Sequence, residues 1–139
     1  MGTRGDPLIL LPFLLLAAIP STGSMAAAKQ VPAGSWGGRH VHLIVSDKRA
    51  SIEFDCAHGV LEGPLTLSKS GTFEVKGTFV MERPGPRIEG QEQPERAATY
   101  TGHVQDKEMQ LTFRLDDTQD GNGTFTLVLG QDPRLMKCR

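Results

Sequence analysis

Thr72-Phe73-Glu74-Val75-Lys76-Gly77-Thr78-Phe79-Val80-Met81-Glu82 is the segment on which the fold turns. Phe73, Val75, Phe79 and Met81 share one parity, and Thr72, Glu74, Lys76, Thr78 and Glu82 share the other. Successive side chains of a strand point to opposite faces, so this segment has one apolar and one wet face. Arg49–Cys56 repeats the pattern, with Ala50, Ile52, Phe54 and Cys56 against Arg49, Ser51, Glu53 and Asp55. Glu108–Asp116 does so through Met109, Leu111, Phe113 and Leu115, and Thr124–Leu129 through Phe125, Leu127 and Leu129. Trp36–Val45, Val60–Leu67, Ala97–Gln105 and a short Leu135–Cys138 complete the predicted strands. Between them fall turn-forming residues: Ser46-Asp47-Lys48, Ser68-Lys69-Ser70-Gly71, Gln105-Asp106-Lys107, Asp120-Gly121-Asn122-Gly123 and Gln131-Asp132-Pro133. A row of amphipathic antiparallel strands must close to bury its apolar face and remove its edges. The expected fold class is therefore all-β: an antiparallel up-and-down barrel, or rolled sandwich, of about eight strands.

The chain has 139 residues and a formal net charge of −1. Leu8–Leu11 and Phe13–Ile19 form an apolar opening behind Arg4, too short to span a bilayer, and Ala26-Ala27-Ala28 offers an A-x-A cleavage site. This predicts a signal peptide over 1–28 and a single β-barrel domain over 29–139, secreted or periplasmic. An uncleaved anchor is the alternative, and Pro12 and Pro20 speak against it. After cleavage neither a membrane nor a nucleic acid is expected as a partner, because no second apolar span and no basic face exist. In an oxidising compartment Cys56 and Cys138 are expected to form a disulfide. If strands alternate up and down from Trp36, both cysteines reach one end of the barrel. The same count sends Trp36, His58, Asp116–Asn122 and the longest connection, Arg83–Arg96, to that end. Long loops in compact domains are commonly functional or disordered, and this one carries Pro84, Gly85, Pro86, Gly90 and Pro94.

Gly34-Ser35-Trp36 resembles the G-x-W that opens the calycin barrels, lipocalins and avidins. The resemblance implies a tryptophan plugging one barrel end with an arginine of the last strand packed on it, and Arg134 is the matching residue. It departs from lipocalins in the short turn between the first two strands. A bulge at Gly37-Gly38 would turn Trp36 inward with Val41, Leu43 and Val45, leaving His40 and His42 together on the outer face. His40-Val41-His42 is the one histidine pair spaced as metal ligands on a strand, and it needs a third ligand that neither His58 nor His103 is placed to supply. Exposed or hydrogen-bonded histidines are the simpler account. Asp55-Cys56-Ala57-His58-Gly59 is no nucleophilic site if Cys56 is paired. Asp116–Gly121 lacks the carboxylates of a calcium loop, having Thr118 at the third position and Leu127 at the twelfth. Asn122-Gly123-Thr124 fits a glycosylation acceptor but fits a hairpin turn better. No catalytic residue and no cofactor are assigned.

Trp36-Gly37-Gly38-Arg39-His40-Val41, Ile52–Gly59, Tyr100-Thr101-Gly102 and Lys137-Cys138 together resemble a group of small exported bacterial proteins. That resemblance implies a bacterial source and brings no activity with it.

The expected function is non-enzymatic binding of a small apolar ligand inside the barrel. Trp36, Tyr100, His58 and Arg134 are the candidate contacts, and Gly77 and Gly102 are expected to widen the lumen. The alternative is a protein-interaction module, such as an inhibitor of an exported protease, acting through residues 83–96. A third is a metal protein built on His40 and His42.

Overall fold

The computed structural model describes residues 29–86, 88–119 and 122–138, with 2, 3, 5, 17 and 18 as isolated positions. The rest of the predicted leader lies outside them, as do residues 120 and 121 of one predicted turn. The strands are β1 (Gly34–Gly38), β2 (Val41–Val45), β3 (Arg49–Phe54), β4 (Ala57–Glu62), β5 (Thr72–Met81), β6 (Arg96–Gln105), β7 (Glu108–Leu115) and β8 (Asn122–Leu129). Each pairs antiparallel with the next, and β1 pairs with β8 to close the barrel. The period of two in the sequence is thus satisfied in an all-β, up-and-down barrel.

Trp36–Val45, expected as one strand, is a hairpin. Gly38 faces Val41 across the two-residue loop Arg39-His40, and His40 sits at φ 68°. A non-glycine residue in that region is held by its surroundings. The His40 amide donates to Arg134 O at 2.8 Å, and its ring meets Asp55. Trp36, Val41, Leu43 and Val45 all face the core, through hairpin pairing rather than a bulge.

Dividing the first strand reverses Trp36 relative to the other elements. The upper end is taken as the one where β1 begins; the last residues of β1, β3, β5 and β7 then lie at the lower end. The Trp36 indole N–H donates to Pro32 O at 3.0 Å, in the segment that enters at the upper end. That end is covered where Val31 N donates to Leu65 O (2.9 Å) and Leu67 N to Lys29 O (2.7 Å). The predicted strand Val60–Leu67 therefore stops at Glu62, and its remainder crosses to the N-terminal segment. Asn122-Gly123 opens β8 instead of forming a turn.

Leu135–Cys138 is not a strand. After β8 the chain runs back outside β1, with one parallel bridge between Arg39 and Arg134. Gly37 permits this approach, since a Cβ there would lie 2.0 Å from Gln131 O. The tail thus carries Cys138 from the upper end to Cys56 at the lower one.

Gly77 and Gly102 do not widen the lumen, because aromatic rings occupy the space their side chains vacate. A Cβ on Gly102 would stand 2.2 Å from the Phe73 ring, and one on Gly77 would stand 3.1 Å from the Tyr100 ring. Gly59 similarly makes room for the Tyr100 hydroxyl at 2.5 Å, and Gly123 for Phe113 at 2.6 Å. Toward the lower end Phe54 packs on Phe79, Phe113 and Phe125 with ring centroids 5.9, 5.1 and 5.2 Å away. Gly102→Ala is expected to cost about 1–3 kcal/mol in urea unfolding, by overpacking. In a Phe73→Leu background the same change should cost less; equal costs would mean that the ring and the glycine are not coupled.

Candidate functional site

Asp55 organises the lower end. It follows the last residue of β3, in the two-residue loop before β4, so its side chain and carbonyl both face the returning tail. Its Oδ2 lies 2.6 Å from His40 Nδ1, and its Oδ1 accepts from the Met136 amide at 2.8 Å. Its carbonyl accepts from Cys138 N at 3.1 Å, beside the Cys56–Cys138 disulfide.

Glu82 is the second anchor. Its Oε2 is 2.8 Å from Lys137 Nζ and its Oε1 is 3.0 Å from His58 Nδ1. Lys137 Nζ also donates to Phe54 O at 3.0 Å. Burial raises the Glu82 pKa, but hydrogen bonds from Lys137 and then His58 outweigh it and hold the carboxyl below its ordinary 4.5. Across the mouth, Arg96 grips Asp117 through two hydrogen bonds of 2.7 and 3.2 Å. The Thr99 hydroxyl donates to Asp116 at 2.7 Å while accepting from Lys76. These contacts lower both aspartates' pKa values, with Thr99 the chief cause at Asp116 and Arg96 at Asp117.

Between the two anchored sides runs the connection 82–95. Large apolar side chains stand open around it: Met81 is 47% exposed, Ile88 58% and Met136 74%. Single exposed apolar residues are ordinary, but these share one end of the barrel. The fourth large exposed apolar residue among the described ones, Ile44, lies on the outer face of β2.

The structure does not bring the four candidate ligand contacts together. Trp36 and Tyr100 are fully buried, and the Tyr100 hydroxyl donates to Thr78 O at 2.7 Å. Burial raises the Tyr100 pKa strongly, so the phenol stays protonated as that donor. His58 lies on β4 rather than in a turn, paired with Glu82 outside the wall. Arg134 is exposed and is held through its backbone to Gly38 and His40; it does not pack on the buried Trp36. His40 is a turn residue bound to Asp55, whereas His42 Nε2 meets Ser35 Oγ at 2.8 Å, so the strand geometry expected of the pair is not formed. Among the described residues no group of three or more His, Cys, Asp or Glu side chains is arranged to hold a metal. Nor is any helix among them long and apolar enough to cross a membrane.

Sequence reasoning paired Cys56 with Cys138 but missed Asp55, Glu82 and Lys137 as the clamp beside them. Asp55 adjoins Cys56 and Lys137 adjoins Cys138, and these adjacencies were the available signal. Met81 shares the apolar parity of Phe73, Val75 and Phe79, but as the last residue of β5 it stands exposed. Protein-family models, curated proteins and solved structures contain no match to this chain.

Replacing both cysteines by serine is expected to cost about 2–4 kcal/mol in urea unfolding, since the bridge closes a long loop. The Glu82 contribution has a defined pH window. With its folded pKa lowered, it is fully present above about 4.5 and is lost as pH falls through the folded value. Glu82→Gln should therefore melt below the wild type at neutral pH, and the difference should vanish in acid. A difference independent of pH would locate the effect elsewhere.

Proposed function

We propose that the chain is an exported, non-enzymatic module that captures another protein through the lower end of its barrel. The observation that carries this is the distribution of apolar side chains. Rings fill the space that inward glycines leave, while Met81, Ile88 and Met136 stand open around the longest connection. Methionine is flexible and polarisable, so a surface containing two of them can adapt to a partner that presents an apolar patch. The disulfide and the Asp55 and Glu82 clamps hold the flanks of that surface, which lowers the entropy lost on binding. Export fits the disulfide and the apolar opening of the sequence. An exported protease is the partner class that the polar, proline-rich connection fits, through insertion into a cleft.

A small apolar ligand in the lumen is the competing occupant. It would have to displace the phenylalanine cluster or occupy the half-buried Phe113 and Phe125 mouth.

The test uses the oxidised protein against exported proteins of its own host, with bound partners identified by mass and rebound as purified pairs. Ile88→Asp with Met136→Asp should weaken a purified pair at least about tenfold while leaving the melting temperature near wild type. A pair that binds the double variant as tightly would overturn the proposed surface. Native mass spectrometry decides against the small ligand if the unbound protein has its polypeptide mass. A retained molecule of a few hundred daltons, lost on denaturation, would replace this proposal with the lumen site.

A further inference from the structure

We propose a second site, independent of the lower end: a groove on the barrel wall that binds a neutral oligosaccharide. The hairpin leading into β5 splays open. Ser68 N donates to Thr72 O at 2.8 Å, and Thr72 N donates back to Ser68 Oγ at 3.2 Å. One step further on, Thr66 would face Glu74, but Thr66 has turned toward the N-terminal segment and pairs with Gln30. The strand register of β4 with β5 stops at Leu61 and Gly77, so β4 does not fill the gap. What remains is a groove of about 690 Å³ between residues 66–68 and the outer faces of β5, β6 and β7.

The groove's chemistry selects its ligand. Thr66, Ser68, Thr101, Thr112, Glu74 and His103 line it. The Ser68 hydroxyl is engaged by Ser70 and Thr72 and the Thr112 hydroxyl by Thr124, each keeping capacity for a further hydrogen bond. Glu74 stands opposite Thr101, and Thr101 opposite Thr112, so these groups form a row across three strands. Neither Glu74 nor His103 has a side-chain hydrogen-bond partner among the described residues, whereas Lys76, one outward position along β5, is engaged by Thr99. Leu67 supplies an apolar floor; the Phe73 ring itself points into the barrel against Gly102. Adjacent hydroxyls that both donate and accept suit this mixture of carboxylate, imidazole and threonine, and the C–H face of a sugar suits the floor.

An extended peptide adding to the edge of β5 is the other occupant such a gap could take. The Ser68–Thr72 clamp closes the gap at one end and stops an added strand after very few residues, whereas a sugar chain can cross the strands along the row of Glu74, Thr101 and Thr112.

The oxidised protein is titrated with maltohexaose, cellohexaose and chitohexaose while backbone amide shifts are followed. At least one should shift residues 66–74, 101–103 and 110–112, and leave 82–96 unmoved. Glu74→Gln and His103→Ala should each weaken that binding about tenfold without changing the melting temperature. Absence of shifts with all three sugars at millimolar concentration would overturn the proposal. So would binding that survives both substitutions, or shifts in this groove produced only by an unstructured threonine- and serine-rich peptide. Because the lower end is unmoved in the expected result, failure here leaves the protein-binding surface standing, and the converse holds.

Discussion

The molecule depends on aromatic rings lying flat where the wall has no side chain. A small barrel has to fill its own interior, and inward positions on neighbouring strands compete for the same space. Here Gly59 and Gly77 yield to Tyr100, Gly102 yields to Phe73, and Gly123 yields to Phe113. Tyr100 adds a polar requirement, because its buried hydroxyl needs an acceptor. It takes Thr78 O, and Val60 N then turns to the Thr78 hydroxyl at 3.3 Å. The ring sits at the centre with its hydrogen bond made, while Val60 keeps its register with Thr78. Once the rings occupy the interior, the surfaces left for recognition are the wall and the ends.

Both ends are finished by chain that is not part of the barrel, and they are finished differently. At the upper end Val31 and Leu65 are buried as the N-terminal segment pairs with residues 65–67. The lower end is fastened by charge and by covalent linkage, with Asp55 and Glu82 each serving a histidine and the returning tail. Apolar closure leaves little to recognise. Polar fastening at the rim keeps Met81, Ile88 and Met136 facing solvent.

The barrel was legible in the sequence because Glu108–Leu115 alternates without interruption and Thr72–Phe79 does so but for Gly77. The inward residues Ile52, Phe73, Tyr100, Leu111 and Leu127 are buried as their parity requires. Reading failed where glycine carries no parity. Gly37-Gly38 is compatible with a bulge or with the approach to a tight hairpin, and the choice rests on the tail that packs against Gly37. The same tail was misread at Leu135–Cys138, which forms no strand; the bridge beside it joins Arg39 to Arg134, one residue earlier. The two errors cancelled in the strand count, and the cysteines met for a reason other than strand direction. The anchoring pairs at the lower end join residues up to 83 positions apart, a separation at which local pattern carries no information. Gly102 was read as free volume because sequence shows a missing side chain but not the neighbour that fills its place.

The tail's path also determines how the molecule would carry a mechanical load. Residues 29–32 lie at the upper end and Cys138 beside the lower one, so tension between these two segments acts from one end of the barrel to the other. Force applied at Cys138 passes through the sulfur bridge into the turn between β3 and β4, and bypasses β8 and the hydrogen bonds that seal it to β1. The seam of the barrel is therefore shielded from peeling, and the strands have to slide past one another before any of them can be unzipped.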